Sequence, residues 1–389
     1  MRPHWERCIT HRDQDVDQFI GDYFAQPDRH CLLVGGAGFD PRALHVSQRL
    51  HGALGGRLTA FMVREERNNP PPELQARADE NEKALKTLIS GCTVSRISIF
   101  ADDGAAVGGV RMVDELRAFS MPSDLTDIVL DMSALSIGVG FPAARFLLEI
   151  AERHPDLSFH LLITSNPALD ANITAEPDDR VINVRGFAGR LLAGVKPPAR
   201  IWLPQLAHRR GPALISIRSS LEGVYRTCPM LPFPAADPRR ADELIAEYGA
   251  QLRGDWEVDE GDLIYVSEAN PLDSYRTISA LKLRYDEVVE GISEPEVILS
   301  PVGSKVMAVG AMMAAIEHDL QVLYIETVRY DLPDGEAAGH APDRIVHLWL
   351  EGPIYGGLKG DGGTADIGMA CDAFGVSAPG FVEPERRRP

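Results

Sequence analysis

Short apolar runs and helix-length spacers alternate along most of this chain, and few folds accept that order. Candidate strands lie at Cys31–Val34, Leu58–Val63, Val94–Phe100, Asp127–Leu130 and Phe159–Thr164. Helical patterns fill the gaps, near Pro41–Leu54, Pro72–Ile89, Val107–Phe119 and Phe141–Arg153. Val/Ile/Leu-rich strands spaced by helices call for a parallel sheet covered on both faces. Each crossover is then right-handed, and the loops that follow the strands gather along one edge.

Prolines at 197, 198 and 204 interrupt the pattern and mark a boundary near residue 200. A second series begins with the apolar run Ala213–Ile217 and a helix at Pro238–Leu252. It continues with strand Leu263–Val266, helix Leu272–Val289, strand Val297–Leu299, helix Ser304–His318 and strand Gln321–Ile325. A further strand is expected at Ile345–Leu350. The expected fold is therefore α/β, with two Rossmann-like, doubly wound, mainly parallel sheets in tandem. Residues 1–200 form the N-terminal domain; residues 201–389 form the C-terminal one and end in a partly ordered, glycine-rich tail.

Composition narrows the class. With 389 residues, 44% hydrophobic and 25% charged, the chain can bury two ordinary cores. No apolar run approaches the ~18–20 residues that cross a bilayer, and the N-terminus lacks the apolar stretch of a secretory signal. Five scattered cysteines point to reduced thiols in a cytoplasmic protein. Cys8 and His11 make half a metal site with no visible second half, so no metal centre is expected. A net charge of −18 disfavours duplex nucleic acid and anionic membranes. A small anionic ligand stays compatible, because local dipoles and a few cations dominate inside a cleft.

The clearest local motif is Ser300-Pro-Val-Gly-Ser-Lys305, which follows a strand and opens an apolar helix rich in small residues. Free N–H groups and the positive end of the helix dipole meet there, and Lys305 adds a full charge. A lysine in the first helical turn opposes the dipole, so stability alone does not favour it. Gly303, Ser304 and Lys305 are thus expected to hold phosphate. The spacing is not Walker A. Gly36 and Gly38 sit in a similar strand-to-helix turn, but Pro41 replaces the third glycine of a dinucleotide fingerprint. Asp40 and Pro41 read instead as a helix cap and first helical residue. Glu65, at the end of a strand, could meet a ribose hydroxyl or belong to a solvated charge cluster.

The loop Ser267–Arg276 also follows a strand and offers Glu268, Asn270, Asp273 and Arg276. Asn270, Asp273 and Arg276 could select the rest of a ligand, or simply cap a helix. Asp131, Glu268 and Asp273 are the candidate acid/base or metal-binding carboxylates. No nucleophile–base–orienter signature is present.

Residues 296–330, with Gly303-Ser304-Lys305, the small-residue helix to Ile316 and the strand Val322-Leu-Tyr-Ile325, resemble a unit of CARF domains. These are Rossmann-like sensors associated with CRISPR systems. The resemblance covers about a tenth of the chain. It implies that the turn helps bind a cyclic oligoadenylate at a dimer interface. Serine replaces the family's threonine at 304, and Pro301-Val302 replaces its preceding glycine. No HEPN-type Arg-x-x-x-x-His signature accompanies it, so a fused RNase is not expected.

The leading expectation is a cytoplasmic prokaryotic nucleotide-binding or nucleotide-sensing protein, a component of an antiviral defence system. It would act as a homo-oligomer or as a subunit of a complex. One alternative is an enzyme acting on a nucleotide or phosphorylated metabolite. Another is a non-catalytic scaffold subunit.

Overall fold

A computed structural model gives the fold and describes residues 4–189, 198–289, 293–332 and 343–356. The strands in chain order are β1 (Ile9–Arg12), β2 (Cys31–Gly36), β3 (Leu58–Glu66), β4 (Gly91–Ser98), β5 (Asp127–Asp131), β6 (Ser158–Ser165) and β7 (Thr174–Ala188). They continue as β8 (Pro198–Pro204), β9 (Val224–Thr227), β10 (Met230–Pro232), β11 (Ile264–Val266), β12 (Glu294–Ser300), β13 (Gln321–Asp331) and β14 (Arg344–Glu351). The glycine-rich tail beyond residue 356 lies outside the described residues.

The first sheet runs β4-β3-β2-β5-β6-β14-β1. Strands β2 to β6 are mutually parallel, and β14 is antiparallel to β6. The chain moves outward from β2 to β3 and β4, then returns to β5 on the other side. The carboxyl ends of β2 and β5 are therefore a switch point, where two successive loops diverge and leave a crevice. The second sheet runs β9-β8-β12-β13-β7 and has the same logic, with its switch between β8 and β12. A short parallel pair, β10 and β11, adjoins the end of β8 through a bridge from Gln205 to Met230.

The architecture is thus α/β with two mainly parallel sheets, but the sheets do not divide at residue 200. Strand β14 joins the first sheet, and β7 joins the second as an edge strand antiparallel to β13. Two local readings also change. The run Ala213–Ile217, expected as a strand, lies in a helix over Gly211–Ser220, which begins with proline at its second residue. The proline-bracketed stretch expected as a boundary contains β8, whose Ile201, Trp202 and Leu203 are buried between β9 and β12. Its prolines, Pro198 and Pro204, occupy the two ends of the strand, where a missing N–H costs least.

One apolar core spans both sheets, running without a break from Leu32 in β2 to Leu299 in β12. The helix Lys305–His318 is the reason. Every residue from Val306 to Ala315 is buried, so the helix is apolar all round, as expected of a segment enclosed on all sides. One side faces the helix Pro271–Val288, and the other faces β6 and the helix Ile137–Arg153. Its small residues permit close approach. A Cβ at Gly310 would sit 2.7 Å from the Ser274 Cβ and closer still to the Pro271 carbonyl oxygen.

A second buried feature crosses four strands of the first sheet. His11 in β1 bonds His347 in β14 (3.0 Å), which bonds His160 in β6 (3.0 Å), which bonds Asp127 in β5 (3.1 Å). If each ring is neutral, one consistent tautomer set lets all three N–H groups point toward the carboxylate. Burial lowers the His347 and His160 pKa values and brings His11 down to about 4. Cys8 donates to the Trp349 carbonyl instead of facing His11.

Two outcomes follow. Gly310→Ala should cost about 1–3 kcal/mol or more by urea denaturation, the usual penalty of overpacking; an unchanged midpoint would show that the two helices are not in contact. For the histidines, the folded pKa lies below the unfolded one. Their stabilisation is therefore complete above the ordinary histidine range and is lost as pH falls. At pH 5 the share from His11 is roughly 2 kcal/mol. The drop in melting temperature between pH 7 and pH 5 should be smaller in His11→Phe than in wild type.

Candidate functional site

The carboxyl edges of both sheets face the same cleft. From the first sheet come the loops after β2, β5 and β6 and the end of β3; from the second come the loops after β8 and β12 and the far half of β13, and the short β10–β11 pair adds the loops that follow it. The cavity they enclose has a volume of about 250 Å³. Both switch points open onto it, so each sheet presents its natural ligand edge to the other.

Lys305 crosses this cleft. It leaves the second sheet at the first residue of its helix, and its Nζ donates to the carbonyl oxygens of Met132 (3.3 Å), Ser133 and Leu135 (3.0 Å) in the loop after β5. The ammonium does not point into bulk water. Desolvation by burial, followed by the charge of Arg42, lowers its pKa. Behind it, Ser304 caps the helix by accepting from the Met307 N–H (3.2 Å). Gly303 lies where a Cβ would come within 3.0 Å of Gln205 Oε1.

Four arginines complete the cationic lining. Arg42 is almost wholly buried and forms a bidentate pair with Asp40 (2.9 and 2.7 Å), with Asp170 at 2.9 Å from the same Nη2. Its Nη1 is buried without a partner among the described residues. Arg67 is shared by Glu65 (3.0 Å) and Glu326 (3.1 Å). Arg210 and Arg240 are half-buried and have no carboxylate within ion-pair distance among the described residues. The Nε of Arg240 is also buried and unpartnered there, as is the hydroxyl of Ser136. Five cations thus meet five carboxylates (Asp40, Glu65, Asp170, Glu268 and, on Arg67, Glu326), but the acids are concentrated on Arg42 and Arg67 and leave Arg210 and Arg240 unpaired among the described residues. Buried donors without acceptors are costly, so this lining is suited to an anion.

One helix terminus at the cleft is already occupied. Glu65 accepts from the Ser136 N–H (2.7 Å) at the start of the helix Ile137–Arg153, and Glu326 packs where a Cβ on Gly138 would collide with it. Two protein carboxylates therefore fill the place an external anion would take.

Of the residues expected from sequence, Gly38, Glu268, Gly303, Ser304 and Lys305 line the cleft. Gly36 lies just beneath it, where the end of β2 passes so close to the loop after β5 that a Cβ would sit 2.8 Å from the Ala134 carbonyl oxygen. Three others do not reach it. Asn270 caps its helix by accepting from the Leu272 N–H (3.3 Å), and Asp273 accepts from the Ser267 N–H (2.7 Å). Arg276 turns toward the N-terminal segment and donates to the Glu6 carbonyl (2.7 Å). The sequence reading missed Arg42, Arg67, Arg210 and Arg240. The signal for Arg210 lies in His208-Arg-Arg210, in the loop after β8, and is masked because the flanking prolines read as a boundary and not as the ends of a strand.

The fold and cleft define an α/β protein with two facing sheets and a cation-lined pocket between them. No protein-family model matches the chain, and no curated protein matches it. Among solved structures it is similar to a chain from Pseudomonas aeruginosa UCBPP-PA14 described as a universal stress protein, at 11% identity and a TM-score of 0.23, covering 78% of this chain and 95% of that one. It is also similar to PKMT2 from Rickettsia typhi, solved in complex with AdoHcy, at 12% identity and a TM-score of 0.22, covering 41% of this chain and 27% of that one. Scores this low carry no weight for function. Among the described residues no helix is long and apolar enough to cross a membrane.

Asp131 is a structural carboxylate. It is 1% exposed, and its Oδ1 accepts from the backbone N–H and the hydroxyl of Ser133, fixing the turn that Lys305 grips. Burial raises its pKa to about 6, against the opposing bonds from Ser133. An acid whose folded pKa is raised destabilises the fold as pH climbs from the unfolded value to the folded one. Asp131→Asn keeps the acceptor and removes the buried charge. Its stability relative to wild type should therefore rise by up to about 3 kcal/mol between pH 4 and pH 7. A variant that unfolds at pH 7 would show that the charge is needed.

Proposed function

We propose that this chain binds a nucleotide or a closely related phosphorylated ligand in the inter-sheet cleft and works as a cytoplasmic sensor of it. The observation that carries this reading is the pair Arg210 and Arg240, which face the cleft without carboxylate partners among the described residues, beside the buried, unpartnered Nη1 of Arg42. Compact anions with several acceptor oxygens, phosphates above all, satisfy such donors. The turn that resembles a CARF unit borders the same cleft through Gly303, Ser304 and Lys305. The three N–H groups of Lys305 are taken by the carbonyls of Met132, Ser133 and Leu135, contrary to the expectation that it holds phosphate, so that contact falls to the arginines. The place of the turn in the cleft is what supports a CARF-like sensing role, within an antiviral defence system that uses a separate effector. Of the three carboxylates considered for catalysis, only Glu268 lines the cleft, and its Oε2 accepts from the Ala236 N–H (3.0 Å). Binding without turnover is therefore favoured over an enzyme.

A melting-shift screen with nucleoside mono-, di- and triphosphates and cyclic nucleotides tests this reading. At 100 times its dissociation constant a true ligand should add about 2.7 kcal/mol. Arg210→Gln combined with Arg240→Gln should weaken binding at least tenfold, with the unliganded protein still folded. No shift with any nucleotide, or an equal shift in the double variant, would contradict the proposal; consumption of the ligand would point to an enzyme.

A further inference from the structure

Beside the cationic cleft lies a second cavity of about 260 Å³. The two share Gly38, Phe39, Glu65, Arg67 and Tyr330, so they adjoin along those residues. That boundary is well ordered by its contacts. Arg67 donates to the Thr327 carbonyl (2.8 Å) as well as pairing with Glu65 and Glu326, and its guanidinium lies 4.9 Å from the centroid of the Tyr330 ring. Phe39 and Tyr330 stand together with ring centroids 5.5 Å apart.

The second cavity is also partly charged, through Arg64, Glu66 and Arg329 beside the shared Glu65 and Arg67, but Pro70, Pro71, Leu74 and Ala78 give it an apolar floor of its own. Asn68 and Gln75 lie at its edge and are exposed, with side chains that bond nothing among the described residues. Aromatic faces, apolar floor and amide groups at the rim form the environment that a planar heterocycle selects, through stacking and edge hydrogen bonds. Together the two cavities reach the range of ordinary ligand clefts, about 300–1,000 Å³.

We infer that the two cavities are halves of one bipartite site. The phosphates of the ligand occupy the cationic cleft, and its nucleobase lies in the second cavity against Phe39, Tyr330 and the proline–leucine floor. This rests on the nucleotide reading above and makes it specific: affinity comes from both ends, so a bare phosphate chain binds more weakly than a nucleotide carrying the same phosphates.

Titration calorimetry of the full chain with ADP, inorganic pyrophosphate and adenosine decides the matter. Two variants address the second cavity: Gln75→Trp, an exposed position whose new ring would fill it, and Tyr330→Ala, which removes the platform. Circular dichroism confirms that each is folded. Wild type should bind ADP at least tenfold more tightly than pyrophosphate. Both variants should lose at least tenfold for ADP, and Gln75→Trp, which lies outside the cationic cleft, should lose less than twofold for pyrophosphate. If pyrophosphate binds as well as ADP, or the variants leave ADP affinity unchanged, the bipartite site is overturned while the anion cleft stands. If neither ADP nor pyrophosphate binds wild type, the nucleotide reading fails and this inference fails with it.

Discussion

A lysine ammonium removed from water and given three carbonyl oxygens instead is the contact on which this structure turns. Lys305 leaves the second sheet and grips the loop that follows β5 in the first. An ammonium inside protein is costly unless its donors are used, so the loop from Met132 to Leu135 must keep its carbonyls turned inward. Asp131 and Ser133 hold that turn from below. The cleft is therefore preorganised on both sides by one charge. Its neighbours Arg42, Arg210 and Arg240 are left facing the space between the sheets.

The same helix that carries Lys305 joins the two sheets into one core. A helix buried on every side cannot belong to one layer alone, and here it is enclosed by elements of both sheets. The N-terminal segment adds a second tie, with Trp5 donating from its ring to the Leu350 carbonyl in β14 and from its backbone to the Tyr275 hydroxyl. Because these ties cross residue 200 in both directions, the chain does not separate into two halves there. A cleft between sheets that share a core is set by packing, which favours a site of fixed shape.

The acidic surface and the basic cleft are complementary features. A net charge of −18 repels polyanions at long range, where screening by salt limits the effect. Inside the cleft, close donors in a low-dielectric setting dominate over that distant field. On the proposed reading, this balance favours small anions over nucleic-acid backbones.

Much of the first sheet was legible, because β2, β3, β5 and β6 are short apolar runs separated by helices of the expected length. The Gly303-Ser304-Lys305 turn was legible for the same reason: strand, turn and helix are contiguous. What sequence could not show was partnership at long range. Strand β14 reads as a final strand of the second series, yet its place is set by pairing with β6, about half the chain away, and with β1, across nearly the whole chain. Strand β7 is long, charged and mostly exposed, so it carries no apolar signal. Arg42 carries no signal of its own beside the Asp40-Pro41 cap, since its burial rests on Asp170, brought to it from far along the chain. Asn270, Asp273 and Arg276 had the right residue types at a strand end, but Asn270 and Asp273 are engaged by local backbone N–H groups and Arg276 by the distant Glu6 carbonyl.

Hydrogen–deuterium exchange with and without the nucleotide that stabilises the protein most is the most direct test of the central claim, that the edges of both sheets form one site. Ligand should slow exchange together in the loops at 38–42, 134–138, 206–210 and 302–307, which come from both sheets. Protection confined to the loops of a single sheet, or found away from the cleft, would contradict it.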